Sequence, residues 1–570
     1  MIQLEAEAES APASVDAPDT GASVSAREQM GWLLAKAAIS PRQAPAHLFT
    51  AARIFFVYMR ARRQFVHSLR KRREQRIFSG LLGIEPQVSA HLSIPELRQL
   101  ADLARHENPT ALIGELLNSP STQRSLPLAV RAKLIRFNEY LLANDGRFMD
   151  PPPRNKAAPA IKSHTVAMAF HSAAPLVVNG YAARSEEMIA AAEAAGWEPK
   201  PVLRLGYPHE LQRFRNEPDI DTETINGREW KRLPDHRKGL LTRGLNDYVE
   251  TYGKRLAEFA TRNDARIIHA ASNYVNGLAA SYAARLAGNK CIYEVRGLWH
   301  VTKAAAGHDM ENDVFYQGDD AFEVEAVRRA DATICISGPV RDYLAERGAR
   351  PESMSVIPNA VCARRYAPVP RNLSLAREWG LDPDRITIGY FGSFTPYEGL
   401  ETLVSALETV IHDGIKVQAL LVGEGPMKDE ISRRIARARL SGLVRLGSRV
   451  PREEIVQLYS LVDIAPIARH DRPVTRLVPP IKLIEAMSCG VCPIVSGLAP
   501  LKEIVEHERN GLVVPAGDAD ALAAAVKRLS AEADLRQQLA AAARRDVEQR
   551  YSREIVSKGL NAVYAKVLAQ

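Results

Sequence analysis

The stretch 470-HDRPVTRLVPPIKLIEAMSCGVCPIVS-496 decides how the rest of the chain is read. Its last six residues form a short, continuous apolar run with the look of a buried strand. Before them Pro479 and Pro480 set the start of a helix, where a residue without an N–H loses nothing. Three cations, Arg472, Arg476 and Lys482, surround that start. Free N–H groups at a helix N-terminus and fixed positive charge together suit a diphosphate. Lys482 and Glu485 are three apart and share a helix face, so a carboxylate lies one turn from the cations, placed to accept from ribose hydroxyls.

The same texture extends outward on both sides. Short apolar runs at 166–170, 266–271, 290–296, 332–337, 354–359, 386–392, 417–423, 444–448, 463–468, 491–496 and 511–515 alternate with helical patterns. That alternation predicts parallel sheets and an α/β fold. So many strands exceed one typical sheet, and two Rossmann-like halves fit, with a seam near 366–385. Doubly wound sheets bind ligands at the carboxyl ends of their strands, so two facing sheets put a site in the cleft between them.

Other strand ends carry candidate chemistry. After the first strand, 171-HSAAPLVVNGYAARSEEM-188 leads into a helix expected to start near Ser185, with Gly180 permitting close backbone approach and Arg184 adding charge. In 292-IYEVRGLWH-300, Glu294 and Arg296 stand in an apolar strand end, where charge is costly unless paired or used. Glu294, Arg296 and His300 are the catalytic candidates. In 389-GYFGSFTPYEGLETLVSAL-407 a Gly turn precedes a helix starting near Gly399. There Glu398 carries the wrong charge for a phosphate and suits a hydroxyl or a helix cap. Gly423 and Gly425 open a further strand-to-helix turn. The pair Asp319/Asp320 reads as solvated charge in a polar loop, so no metal site is expected.

Composition narrows the classes. The net charge of +8, from 75 basic and 67 acidic residues, is modest for 570 residues and speaks against a dedicated nucleic-acid binder. Cys489 and Cys492 have CxxC spacing but no second pair or His cluster, so they read as buried reduced thiols. Residues 1–25 hold five acids and no Lys or Arg, the reverse of a secretory leader, and read as a disordered tail. Residues 26–150 read as helical. Within them 53-RIFFVYMRARRQFVHSLRKRREQR-76 carries nine cations and one acid. It is either a solvated helix packed on its own domain or a peripheral contact with an anionic membrane. A Pro-rich linker is expected at 151–161. No apolar run spans a bilayer, so the expected location is cytoplasmic, with peripheral attachment at the inner membrane open.

The segments SVIPNAV (355–361), IGYFGSF (388–394), EGLETLVSAL (398–407), LLVGEGP (420–426), YSLVDIAPIA (459–468), LIEAMSCGVCPIVS (483–496) and EIVEHERNGLVVPAGD (503–518), in this order, resemble glycosyltransferase family 4. NGYAARS, LGYP, YEVRGLW, YEGL and PPIKLIEAM are similar to a polysaccharide-building subgroup. The resemblance covers about 165–568 and implies a GT-B fold preceded by the helical N-terminal region. It divides the chain into an acceptor-side domain at 162–365, a donor domain at 366–547 and a helix at 548–570 crossing back. It implies retaining transfer from a nucleotide-diphosphate sugar, as co-substrate and with no cofactor, to a saccharide or lipid-linked acceptor. Under it Glu485 resembles the second glutamate of the paired-Glu motif. Gly180, Gly392 and Gly423 resemble donor-cleft turns, and Arg449 falls where the base usually sits. Leu477 stands at the first glutamate's place, Ser393 and Glu398 stand where many members carry phosphate-binding Arg and Lys, and Arg296 replaces a common histidine. Arg472, Arg476 and Lys482 are then expected to supply the missing positive charge. The loss of the first glutamate supports the alternative, a catalytically impaired GT-B-like scaffold or a protein whose basic helical region binds a membrane or partner.

Overall fold

The computed structural model describes residues 128–570 apart from 157–162, 212–213, 215, 236–242, 306–313 and 452. The tail at 1–25 and the basic segment 53–76 lie outside the described residues. Glu139–Gln570 form one compact unit, which contains both sheets.

Fourteen strands are present among the described residues. The first sheet comprises β1 (Thr165–Phe170), β2 (Glu198–Leu205), β3 (Thr222–Ile225), β4 (Arg228–Leu233), β5 (Ile267–Ala271), β6 (Lys290–Val295), β7 (Ala332–Cys335) and β8 (Met354–Val356). Their order is β3-β4-β2-β1-β5-β6-β7-β8, parallel except where β3 runs against β4. The second sheet comprises β9 (Ile386–Phe391), β10 (Val417–Val422), β11 (Val444–Gly447), β12 (Ile464–Ile467), β13 (Cys492–Ser496) and β14 (Leu512–Val514), parallel throughout, in the order β11-β10-β9-β12-β13-β14. β1, β5 and β10 are buried at every residue. Burial on both faces is what uninterrupted apolar runs require in a parallel sheet.

All eleven predicted strands are present, and β2, β3 and β4 were missed. β2 (EPKPVLRL) contains two prolines and two cations, which hide its buried end. β3 and β4 are short and charged, but their turn, Asn226-Gly227, carried a readable signal. Both residues have positive φ (50° and 76°), the geometry of a two-residue hairpin turn that favours Asn-Gly.

Strand order reverses between β2 and β5 around β1, and between β10 and β12 around β9. The carboxyl ends of β1 and β9 therefore mark the two crevices. The lobes meet through the loops there. Ser337 Oγ donates to Leu477 O (2.6 Å) and Asn359 Nδ2 to Pro479 O (3.1 Å). Arg449 donates to Val178 O (3.2 Å). Val474 is buried in the first-lobe core, with Leu477 and Val478 packed against it.

Residues 149–156 do not hang free between domains. Arg285 donates to Pro152 O (2.5 Å), and Arg154 reaches Asp331 (3.0 Å). The helix Arg553–Leu568 lies on the first sheet, with Tyr564 OH against His269 Nδ1 (2.7 Å) and Leu560 fully buried. Leu560→Ala should therefore cost about 2–5 kcal/mol, the range for emptying a packed leucine site. Denaturant unfolding checks this, and an unchanged midpoint would show that the helix is dispensable to that core.

Candidate active site

The second lobe's crevice is built from the loops after β9 and β12. The β9 loop passes Gly392 and Ser393, turns through the short 3-10 stretch Pro396–Glu398 and enters the helix Leu400–His412. The β12 loop runs alongside it, with His470 N donating to Tyr397 O (3.1 Å). Between them Glu398 accepts from Arg469 NH2 on Oε1 (2.7 Å) and from Arg469 Nε on Oε2 (3.2 Å), and Lys482 Nζ lies 3.0 Å from the same Oε2. Lys482 Nζ also reaches Tyr390 OH (2.5 Å). An ideal Cβ built on Gly392 would stand 2.7 Å from that ammonium. Glycine there leaves the lysine head group under the turn.

Two cations thus share one carboxylate. Burial would raise the Glu398 carboxyl, but Arg469 and Lys482 hold it at about 2. Burial in turn pulls the Lys482 ammonium down, against the neighbouring Glu398. The triad carries one net positive charge at the switch point of a parallel sheet. Glu485, one turn beyond Lys482 on the helix Ile481–Ser488, is half-buried and accepts from Tyr366 OH (2.9 Å).

This geometry corrects the expected set of cations. Arg476 is exposed and paired with Asp471 (2.5 Å), and Arg472 is exposed on the same loop. Neither joins Lys482. Arg469 does, and the sequence reading passed over it. It follows an apolar strand directly, the same pattern that singled out Glu294 and Arg296. Glu398 caps no helix; it organises the cations. Ser393 is exposed, and its carbonyl accepts from Tyr390 OH (2.8 Å). Gly423 is packed so closely on the β9 turn that a Cβ would fall 1.8 Å from Gly392 O.

The first lobe differs more from expectation. The helix after β1 begins at Gly180, not near Ser185, because Asn179 caps it by accepting from Ala182 N (3.0 Å). Gly180 is exposed, with open space where a Cβ would lie. Arg184 is turned into the interior of the lobe. It is buried, with Nε on Glu294 (2.6 Å) and the terminal nitrogens on the carbonyls of Ile357 (2.8 Å) and Pro358 (2.7 Å).

Glu294 is 0% exposed and also takes Arg296 NH2 (2.7 Å). Burial would raise its carboxyl, but Arg296 and Arg184 hold it well below the ordinary range. Arg296 NH1 donates to Ser185 Oγ (2.7 Å) and Tyr181 O (3.1 Å), while its Nε is buried without a hydrogen-bond partner. Both residues are thus framework and not open catalytic groups. His300 is buried too, against Tyr343 OH (3.0 Å) and Asp320 (3.2 Å). Asp319 and Asp320 sit on the helix Val314–Arg329, not in a polar loop, and Asp319 is buried against Lys303 (3.2 Å). Cys489 and Cys492 are buried free thiols, pushed up to about 12 by burial.

Among the described residues no cluster of His, Cys, Asp or Glu could hold a metal, and no helix is long and apolar enough to cross a membrane. An open concavity lined by Trp197, Lys200 and Arg228 lies at the amino end of β1, the far end from the cleft.

Residues 179–360 match the family model described as Glycosyl transferase 4-like domain, and residues 374–546 match Glycosyl transferases group 1. Two parallel sheets in this order, together with these two matches, place the chain in the GT-B fold class. The chain carries the two domains of that class in order, the 4-like domain first and the group 1 domain second.

It is 26% identical over 192 residues to an uncharacterized glycosyltransferase of Methanocaldococcus jannaschii, covering 34% of this chain and 48% of that one. It is 29% identical over 177 residues to the amylovoran biosynthesis glycosyltransferase AmsK of Erwinia amylovora, covering 30% and 43%. The chain spans about half the length of the curated relatives it matches. Among solved structures, the sucrose-phosphate synthase of Thermosynechococcus elongatus superposes with TM-score 0.56 at 21% identity, covering 71% of this chain and 99% of that one. Anabaena HepE in complex with UDP-glucose does so with TM-score 0.54 at 18% identity, covering 71% and 100%.

The Glu398 cluster makes a prediction about acid. Its carboxyl sits at about 2 against an ordinary 4.5, so the unfolded chain binds that proton first as pH falls. Stability from this group is complete above pH 4.5 and drains away as pH falls toward 2. Glu398→Gln should flatten that part of a stability-against-pH curve. An identical slope in both proteins would contradict the pairing.

Proposed function

We propose that this protein transfers a sugar from a nucleoside-diphosphate sugar to a saccharide or lipid-linked acceptor, in polysaccharide or glycoconjugate synthesis. The observation that carries this reading is the Arg469–Glu398–Lys482 triad beneath the Gly392 turn. Departure of a nucleoside diphosphate builds negative charge on the leaving phosphate oxygen. Cations fixed beforehand in a water-poor crevice stabilise that charge without reorganising. Lys482 and Arg469 are so fixed, because Glu398 holds both in place of water. Glu485 is offered to the ribose from the same helix. Arg449, bridging to Val178 at the cleft mouth, is offered to the base. The diphosphate leaves with cationic help from the chain itself and is a co-substrate, with no cofactor assigned.

Retention of configuration belongs to this proposal: the acceptor hydroxyl would attack from the face that the diphosphate leaves, and the departing phosphate oxygen would take its proton. Glu294 and His300 are too enclosed to serve as the base. Leu477 at the place of the first glutamate packs on the first-lobe core, so the donor sugar loses one carboxylate partner there while the lobes gain an apolar contact.

Calorimetric titration with UDP, and then with other nucleoside diphosphates, tests the reading. Lys482→Ala should weaken binding about 10- to 100-fold, the worth of a charge-assisted bond of about 1.5–3 kcal/mol. Arg476→Ala should leave it unchanged. Equal affinity for wild type and Lys482→Ala would remove the triad from the donor site. Absence of nucleotide binding, together with absence of turnover on a panel of nucleotide sugars, would favour the inactive scaffold.

A further inference from the structure

His171 follows β1 directly and stands at the first lobe's crevice. Its ring meets Trp299, just beyond β6, edge to face, with centroids 4.6 Å apart and planes at 88°. Both side chains are half-buried. The segments that carry them touch the other lobe on either side: Val178 accepts from Arg449, and Gly297 lies against Val478, which a Cβ would meet at 3.4 Å. The pair therefore sits at the cleft, on the lobe opposite the cationic triad.

The protonation of His171 follows from its neighbour. Arg204 Nε donates to His171 Nδ1 (3.0 Å). A guanidinium has no acceptor, so Nδ1 carries the lone pair and the ring proton resides on Nε2. Burial first, and the Arg204 charge second, push the imidazole well below its ordinary value, which keeps it neutral. Nε2 takes no partner among the described residues. Charge nearby is already spent: Arg204 is paired with buried Glu210, and Arg296 with Glu294.

A neutral N–H donor beside a partly uncovered indole, with no free charge around it, suits a ligand with an apolar face and hydroxyl acceptors. That describes a sugar ring better than a phosphate. Sites for such ligands combine aromatic walls with a few placed polar groups. We infer that His171 and Trp299 form a subsite for a neutral saccharide ring, which is the acceptor of the transfer proposed above. The inference rests on that reading for the word acceptor. Trp299 offers its ring to the C–H face of the sugar, and His171 Nε2–H donates to a hydroxyl. Since Nε2 carries the proton, His171 positions the acceptor and does not deprotonate it.

Saturation-transfer NMR on the full chain, with saturating UDP and millimolar methyl glucopyranoside, galactopyranoside or mannopyranoside, tests the subsite. At least one glycoside should give a signal. Its affinity should fall about tenfold or more in Trp299→Ala and in His171→Leu, the loss of roughly one good contact. Trp299→Phe and His171→Asn, which keep a ring and a donor, should recover most of it, and they decide the matter if a stripped variant does not fold. The thermal shift caused by UDP should be the same in all five proteins. Unchanged glycoside affinity in the variants would overturn the subsite, as would silence from every glycoside in wild-type protein that binds UDP. A glycoside signal that depends on His171 and Trp299 in a protein that ignores nucleotides would leave the subsite standing and sink the donor reading.

Discussion

Glu294 occupies the centre of the first lobe with no access to water, and two guanidiniums converge on it. Removing one partner from such a group leaves uncompensated charge in a low-dielectric interior, at a cost of about 3–5 kcal/mol. The cluster therefore behaves as a single part. Through Arg184 it holds the carbonyls of Ile357 and Pro358, where the chain leaves the first sheet. Asn359 then holds Pro479 O, next to the helix that carries Lys482 and Glu485. A carboxylate in one lobe thus fixes the approach of the other lobe's site, and the alignment of the whole crevice depends on it.

The two buried carboxylates perform one task in different settings. Glu294 binds two arginines away from any ligand, and its product is rigidity. Glu398 binds an arginine and a lysine beside a glycine turn, and its product is prearranged positive charge. The neighbours separate them. Arg184 and Arg296 spend their other bonds on carbonyls and a hydroxyl of the framework, with Arg296 Nε buried and unpartnered, whereas Lys482 stands directly beneath the Gly392 turn.

Much of the fold was legible because parallel strands buried on both faces must be apolar, and apolar runs between helices can be counted. β2 to β4 escaped because they mix prolines and charges with their buried positions, although Asn226-Gly227 offered a cue. The strand ends that carry Gly392 and lead to Lys482 were legible as a candidate site, but the pairing of the charges there was not. Which cation meets Glu398 depends on two loops, seventy residues apart, lying side by side, and spacing along the chain cannot show that. The same limit misled the reading of Arg184 and Glu294. Charge at a strand end must be paired or used, and only the fold distinguishes the two. His171 gave no sign at all, because its character comes from Arg204 on a neighbouring strand that itself went unseen.

The helix Arg553–Leu568 fills part of the core beneath β1 and β5, yet it leaves the ribosome almost two hundred residues after β8, the last strand of that sheet. Domains commonly fold as units during synthesis, the earlier one first. Here the earlier lobe cannot finish in that order: its apolar floor stays open until the later lobe has been made. An emerging chain must carry that exposed surface throughout translation of the second sheet, which makes the nascent first lobe a natural client for chaperones.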